Sequence, residues 1–150
     1  MGYYVTVEMI GVVIPKENVQ KCLDAINALH SDSNLQSNAS GGSSYGSEVP
    51  VRERCWYAWV GNPATDAGFV SLADALRSWR YEPEQRNDGS VEIVRFMGEK
   101  WGDDETLYRT IAPFVRDGGS IECRGEDGAL WAYDFREGKL VQLTGHVVYT

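Results

Sequence analysis

An α+β fold is predicted: a single domain over residues 1–150, with a mostly antiparallel sheet and two to three helices packed on one face. Three observations predict it. Short runs rich in Val, Ile, Tyr and Trp are separated by Gly, Pro and Asn turns, as strands are. Two other stretches repeat apolar residues every three or four positions, as helices with one buried stripe do. Val19, Leu23 and Ile26 also recur as Leu107, Ile111 and Phe114 at a constant offset, each set followed by a strand-like run. Two such strand–helix–strand units on one antiparallel sheet make a ferredoxin-like arrangement, βαβ plus βαβββ. Amphipathic helices of any origin align this well, so the echo favours a fold class and not a duplication.

Tyr3 to Ile14 read as one long strand, bent or bulged at Gly11. Pro15 follows at a first helical position, where its missing N–H does no harm. Val19, Cys22, Leu23, Ile26 and Leu29 form the helix stripe, with Lys16, Glu17, Gln20, Lys21 and Asp24 on the wet side. Residues 31–50 are Ser-, Gly- and Asn-rich and have almost nothing to bury, so they read as a flexible loop inside the domain. Its length is unusual for a compact domain and points to a functional use or to contact with a partner.

Arg52 to Val60 alternate as a strand that Gly61-Asn62-Pro63 ends. Ser71 and Asp74 make a variant capping box ahead of a short helix with Leu72, Ala75, Leu76 and Trp79 inside. Pro83 stops it, and the turn Asn87-Asp88-Gly89 starts a strand over Ser90–Met97. Asp103 is an N-cap candidate, with Asp104 and Glu105 in the first turn, where the helix dipole favours acids. Pro113 ends that helix near Ala112. Strands follow at Ile121–Arg124, at a return run with Trp131, Tyr133 and Phe135 on one face, at Lys139–Leu143, and as a short last strand at Val147–Tyr149.

Composition narrows the function classes. The chain has 150 residues, 43% apolar and 24% charged, enough for one core. No apolar run approaches the roughly 18 residues of a membrane span. Met1-Gly2-Tyr3-Tyr4 lacks the basic and apolar regions of a secretory signal, so the expected location is the cytoplasm. With 22 acids against 14 Lys and Arg, the net charge is −8, which disfavours direct binding to nucleic acid. Cys22, Cys55 and Cys123 are odd in number and widely spaced; they read as reduced, mostly buried thiols and not as disulfides or a zinc module.

Between Val91 and Lys139 the chain carries Gly98-Glu99-Lys100, Gly102-Asp103-Asp104, Ile111-Ala112-Pro113, Gly125-Glu126-Asp127-Gly128, Trp131 and Phe135-Arg136-Glu137-Gly138-Lys139. This stretch resembles small hypothetical proteins of phages and bacterial mobile elements, a sequence type without an assigned activity. The resemblance implies a phage or mobile-element product inside a bacterial host cell. It carries over no catalytic residue.

Glu99, Asp103, Asp104, Glu105, Glu122, Glu126 and Asp127 form an acidic set around one helix start and one turn. A calcium-type loop pattern is absent, and capping and turn chemistry already use several of these residues, so no metal is expected. No P-loop, G-x-S-x-G or H-E-x-x-H occurs, and Ser120 sits in no arrangement with a His and an acid. An enzyme and a bound cofactor are therefore not expected.

Five Trp and eight Tyr are many for this length. Aromatic platforms for single-stranded nucleic acid sit in basic grooves. Here residues 98–138 hold ten acids against five bases. The aromatics instead predict core filling plus a protein-binding patch rimmed by acids, with Trp101 its exposed member.

The expected function is a non-enzymatic acidic protein that docks onto a host or self protein through Trp101, Asp103, Asp104, Glu105, Glu126 and Asp127. Against a basic nucleic-acid-binding complex, such acids would imitate phosphates, anti-restriction or anti-CRISPR inhibition being one example of the class. Two alternatives stand beside it. One is a small-ligand binder or enzyme with carboxylates and Trp or Tyr in a cleft between the sheet and loop 31–50. The other is a phage structural or assembly protein, marked by a fixed oligomer with an apolar interface.

Overall fold

The first strand-like run does not stay in one sheet. In the computed structural model, which describes residues 2–31, 57, 59–61, 63 and 67–150, β1 (Tyr3–Ile10) ends at Gly11, whose φ of +60° suits glycine. Beyond that corner β2 (Val13–Ile14) pairs with a strand of another sheet. β1 belongs to a five-stranded sheet of order β5-β1-β6-β7-β8, and β2 to a three-stranded sheet of order β2-β4-β3. The remaining strands are β3 (Tyr81–Gln85), β4 (Val91–Phe96), β5 (Lys100–Trp101), β6 (Ser120–Gly125), β7 (Leu130–Arg136) and β8 (Lys139–Gly145). Every pairing is antiparallel.

The fold is thus α+β in a single small domain. The strand order is not that of the ferredoxin-like plan: two sheets replace one. The reason lies at two bends. Gly11 turns the first strand out of one sheet into the other, and Met97–Glu99 do the same between β4 and β5. At the first bend the chain is held by Ile93 N–H donating to Val12 O (2.9 Å) and Arg116 N–H donating to Val13 O (2.8 Å).

Three α-helices stand among the described residues. Pro15 stands just before a short 3-10 turn (Lys16–Asn18), one position ahead of the expected place, and α1 (Val19–Ser31) follows. Its Cys22, Leu23 and Ile26 are buried, as the stripe predicts. α2 (Leu72–Ser78) starts at Ser71, whose hydroxyl accepts from Asp74 N–H at 3.1 Å, and it buries Leu72, Ala75 and Leu76. α3 (Asp104–Ile111) buries Leu107, Tyr108 and Ile111 before Pro113 tightens the chain into a 3-10 turn. α1 packs against both α2 and α3, and α2 against β3. The core joins both sheets to these helices through Val5, Ile14, Ile26, Trp79, Ile93, Ile121 and Phe135.

Several expectations shift. Pro83 does not stop the helix, which ends at Ser78 ahead of the left-handed Arg80; it lies inside β3, at a register shift and on an outer strand, where a missing N–H is tolerated. Val147–Tyr149 form no strand and are exposed. The loop at 31–50 and most of the strand at 52–60 lie outside the described residues; Tyr57 and Val60 close a turn, with Val60 N–H donating to Tyr57 O at 3.3 Å.

Gly119 marks a close approach of two backbones. A Cβ there would sit 2.9 Å from Gly11 O and 3.3 Å from Val12 Cα, main-chain atoms that cannot swing aside. We expect Gly119→Ala to lower stability by about 1–3 kcal/mol in urea titration, since the corner between the sheets must shift. Unchanged stability would show that the corner has slack.

Candidate functional site

The expected contact residues divide into two groups with different fates. Asp104, the first residue of α3, is only 1% exposed. Its Oδ1 accepts from Gly102 N–H (2.9 Å) and from Arg80 Nη2 (3.0 Å), and its Oδ2 accepts from the Tyr81 hydroxyl (2.9 Å). Tyr81 and Tyr108 hydroxyls meet at 2.5 Å behind it. Arg80 has a left-handed φ of +75° and also donates Nη1 to Lys100 O at 2.6 Å, with its guanidinium 4.9 Å above the Phe96 ring. Burial pushes the Asp104 carboxyl up, while Gly102 N–H, Arg80 and Tyr81 pull it back. Every one of these partners donates, so the cage suits the ionised carboxylate. The hydroxyls of Tyr81 and Tyr108 are pushed well above the ordinary tyrosine value, chiefly by burial.

Asp104 is therefore a fastening of α3 onto β3 and β5, turned away from the surface where it was expected. Glu105 is half-buried: its Oε1 accepts from Tyr133 OH (2.9 Å) and its Oε2 pairs with Arg109 (3.1 Å). Asp103 is also half-buried and makes no side-chain cap to α3; its carbonyl accepts from Thr106 N–H at 2.9 Å. Trp101, expected to be exposed, is half-buried beside Trp131 (5.3 Å between centroids), Tyr108 (6.2 Å) and Tyr133 (6.3 Å).

Glu126 and Asp127 do reach the surface, on the turn between β6 and β7, but they bend back onto β1. Glu126 exchanges bonds with Tyr4: its N–H donates to Tyr4 O (3.0 Å) and its Oε1 accepts from Tyr4 N–H (3.2 Å). Asp127 Oδ1 accepts from the Tyr3 hydroxyl and from Ala129 N–H (3.0 Å). The Tyr3 hydroxyl holds the Asp127 carboxyl below its usual range, with help from Ala129.

What stands out at this end of the sheet is a group the sequence reading did not assemble. Tyr4 and Lys100 are register partners on the face of β1 and β5 opposite the core. The Lys100 ammonium lies 5.3 Å from the Tyr4 ring centre and 5.5 Å from that of Trp59, and the two rings are 46% and 48% exposed. Beside them opens a cleft of about 400 Å³ whose wall includes Tyr4, Thr6, Phe96, Glu99, Arg124 and Glu126. Strand alternation could have found Tyr4, since Tyr3 and Val5 take the inner face and Tyr4 the outer one. Trp59 could not be found that way, because its φ of +69° takes it out of any strand. Of the other tryptophans, Trp79 is fully buried and Trp56 lies outside the described residues.

Among the described residues no group of three or more His, Cys, Asp or Glu is placed to hold a metal ion, and no helix is long and apolar enough to cross a membrane. Cys22 and Cys123 are free and buried, and burial pushes both thiols up to about 12, away from the thiolate that reactivity needs. Cys55 lies outside the described residues. No protein-family model, curated protein or solved structure matches the chain.

Proposed function

We propose that the chain is a non-enzymatic protein-binding module whose contact surface is the end of the five-stranded sheet around Tyr4, Trp59 and Lys100. The observation that carries this reading is the pair of half-exposed aromatic rings flanking one lysine, on a sheet face turned away from the core. Rings of this kind are what protein interfaces enrich, because they bring area at little entropic cost. The adjoining cleft mixes Arg124 with Glu99 and Glu126, so a protein surface of mixed charge fits it better than an array of phosphates. The setting, a phage or mobile-element product acting on a host protein, rests on the resemblance at Val91–Lys139 alone.

The test is affinity capture from bacterial lysate with the wild-type chain beside Tyr4→Ala/Trp59→Ala. Removing two interface aromatics should weaken retention of a captured protein by at least about tenfold while circular dichroism stays unchanged. Equal retention by both chains would refute the assignment of this surface. Retention that instead collapses with added salt and with Glu126→Gln/Asp127→Asn would favour imitation of phosphates.

A further inference from the structure

Unpaired main-chain N–H and C=O groups at a sheet edge recruit further strands unless the edge is blocked. Among the described residues one edge is blocked and another is left open. β3, the outer strand of the three-stranded sheet, carries Glu82, Pro83 and Glu84 among its five residues, with a register shift between Glu82 and Pro83. β8, the outer strand of the five-stranded sheet, has seven residues and uses none of these devices. Past Lys139 it holds no charge and no proline, and it pairs with β7 without a bulge. On a chain with a net charge of −8, a neutral edge is where a second copy meets the least local repulsion.

The hairpin sets the direction of the main chain in β8. Glu137-Gly138 is a two-residue turn with φ of 52° and 74°, so the flanking pair Arg136 and Lys139 is hydrogen-bonded. The alternation continues through Val141, Leu143 and Gly145, which face β7. Leu140, Gln142 and Thr144 therefore direct N–H and C=O toward the open edge, where no strand among the described residues pairs. Two β8 strands related by a two-fold axis at Gln142 meet in register: Leu140 opposite Thr144, and Gln142 opposite its own copy. About six main-chain hydrogen bonds result. On the outer face, Val141 of each copy stands opposite Leu143 of the other, in the non-hydrogen-bonded pairs where side chains come closest. Leu143, 40% exposed in the single chain, gains apolar cover there.

From this we infer that β8 is a homodimer edge, through which two copies join antiparallel over Leu140–Thr144 into one continuous sheet. The dimer stands independently of the proposed binding surface. Together they place the two Tyr4 surfaces toward opposite ends of the joined sheet, about 34 Å apart across the strands and displaced by a similar distance along them, and make the assembly bivalent.

Sedimentation equilibrium of the full chain should give twice the monomer mass. Gln142→Lys and Gln142→Glu each set like charges face to face on the two-fold axis, raising the dissociation constant at least about fivefold. Gln142 is exposed, so circular dichroism should not change. Mixed in equal amounts, the two variants should re-form a dimer containing one of each. Should either misfold, Leu143→Arg at its half-exposed site supplies a second disruption. A wild-type monomer at every concentration overturns the inference, as does a dimer indifferent to these substitutions or a mixture that fails to reassociate. A monomer whose Leu140, Gln142 and Thr144 amides resist hydrogen exchange also overturns it, in favour of cover from within the chain.

Discussion

Asp104→Ala should lower stability by about 3–5 kcal/mol, with a fall in melting temperature on the order of 10 °C. The loss does not measure one ion pair. It arises because Arg80 Nη2, the Tyr81 hydroxyl and Gly102 N–H lose their shared acceptor together, and a buried donor without its acceptor is costly. Arg80 itself is held at a left-handed φ, which a free guanidinium has less reason to maintain. Asp104→Ala/Arg80→Met should therefore cost clearly less than the sum of the two single changes. Chemical denaturation of the four chains checks this. A loss below about 1 kcal/mol for Asp104→Ala would mean that water reaches the cage and the fastening is superficial.

The second large effect is a loss of stability in acid that originates at His30. This side chain is 1% exposed and surrounded by Tyr57, Phe69 and Trp79. Its Nε2 accepts from Trp79 Nε1 at 3.0 Å, so the neutral ring carries its proton on Nδ1. Protonating Nε2 would set two donors against each other in a dry pocket. Burial accordingly lowers the imidazole pKa from 6.5 to about 4. Between those values the unfolded chain binds a proton that the folded chain refuses, so stability is full above pH 6.5 and is lost as the pH falls through about 4. The shift corresponds to about 3 kcal/mol. His30→Gln keeps an acceptor for Trp79 but cannot titrate, so it should flatten this part of the stability profile, whatever its own stability at neutral pH. Parallel profiles for the two chains would remove His30 as the cause.

Both effects rest on residues whose roles were only half legible. Asp104 reads naturally as first-turn charge on a helix, and it does begin α3. Its burial depends on Arg80 and Tyr81, which belong to another element and reach it through the tertiary fold. Trp101 next to Lys100 and Gly102 has the polar, flexible neighbours of an exposed site, yet pairing with Tyr3 turns its ring toward Trp131 and Tyr133. His30 has no sequence signature of burial, because a histidine at the end of a helix stripe has the same local pattern whether it is wet or dry. Tyr4 and Trp59 belong to elements far apart in sequence and meet only over Lys100.

The amino-acid sequence by itself determined the α+β class, the stripes of α1 and α3, the Ser71 cap, the break at Gly11 and the hairpin turns of β6 to β8. All of these follow from residues within about four positions of each other, where backbone preference and side-chain spacing act directly. The tertiary structure alone decided that the strands part into two sheets, that Pro83 lies in an outer strand, which acids are buried and which aromatics remain outside. Those outcomes depend on pairing between segments as distant as Tyr3 and Trp101, whose strength comes from mutual burial and has no signature in either segment alone.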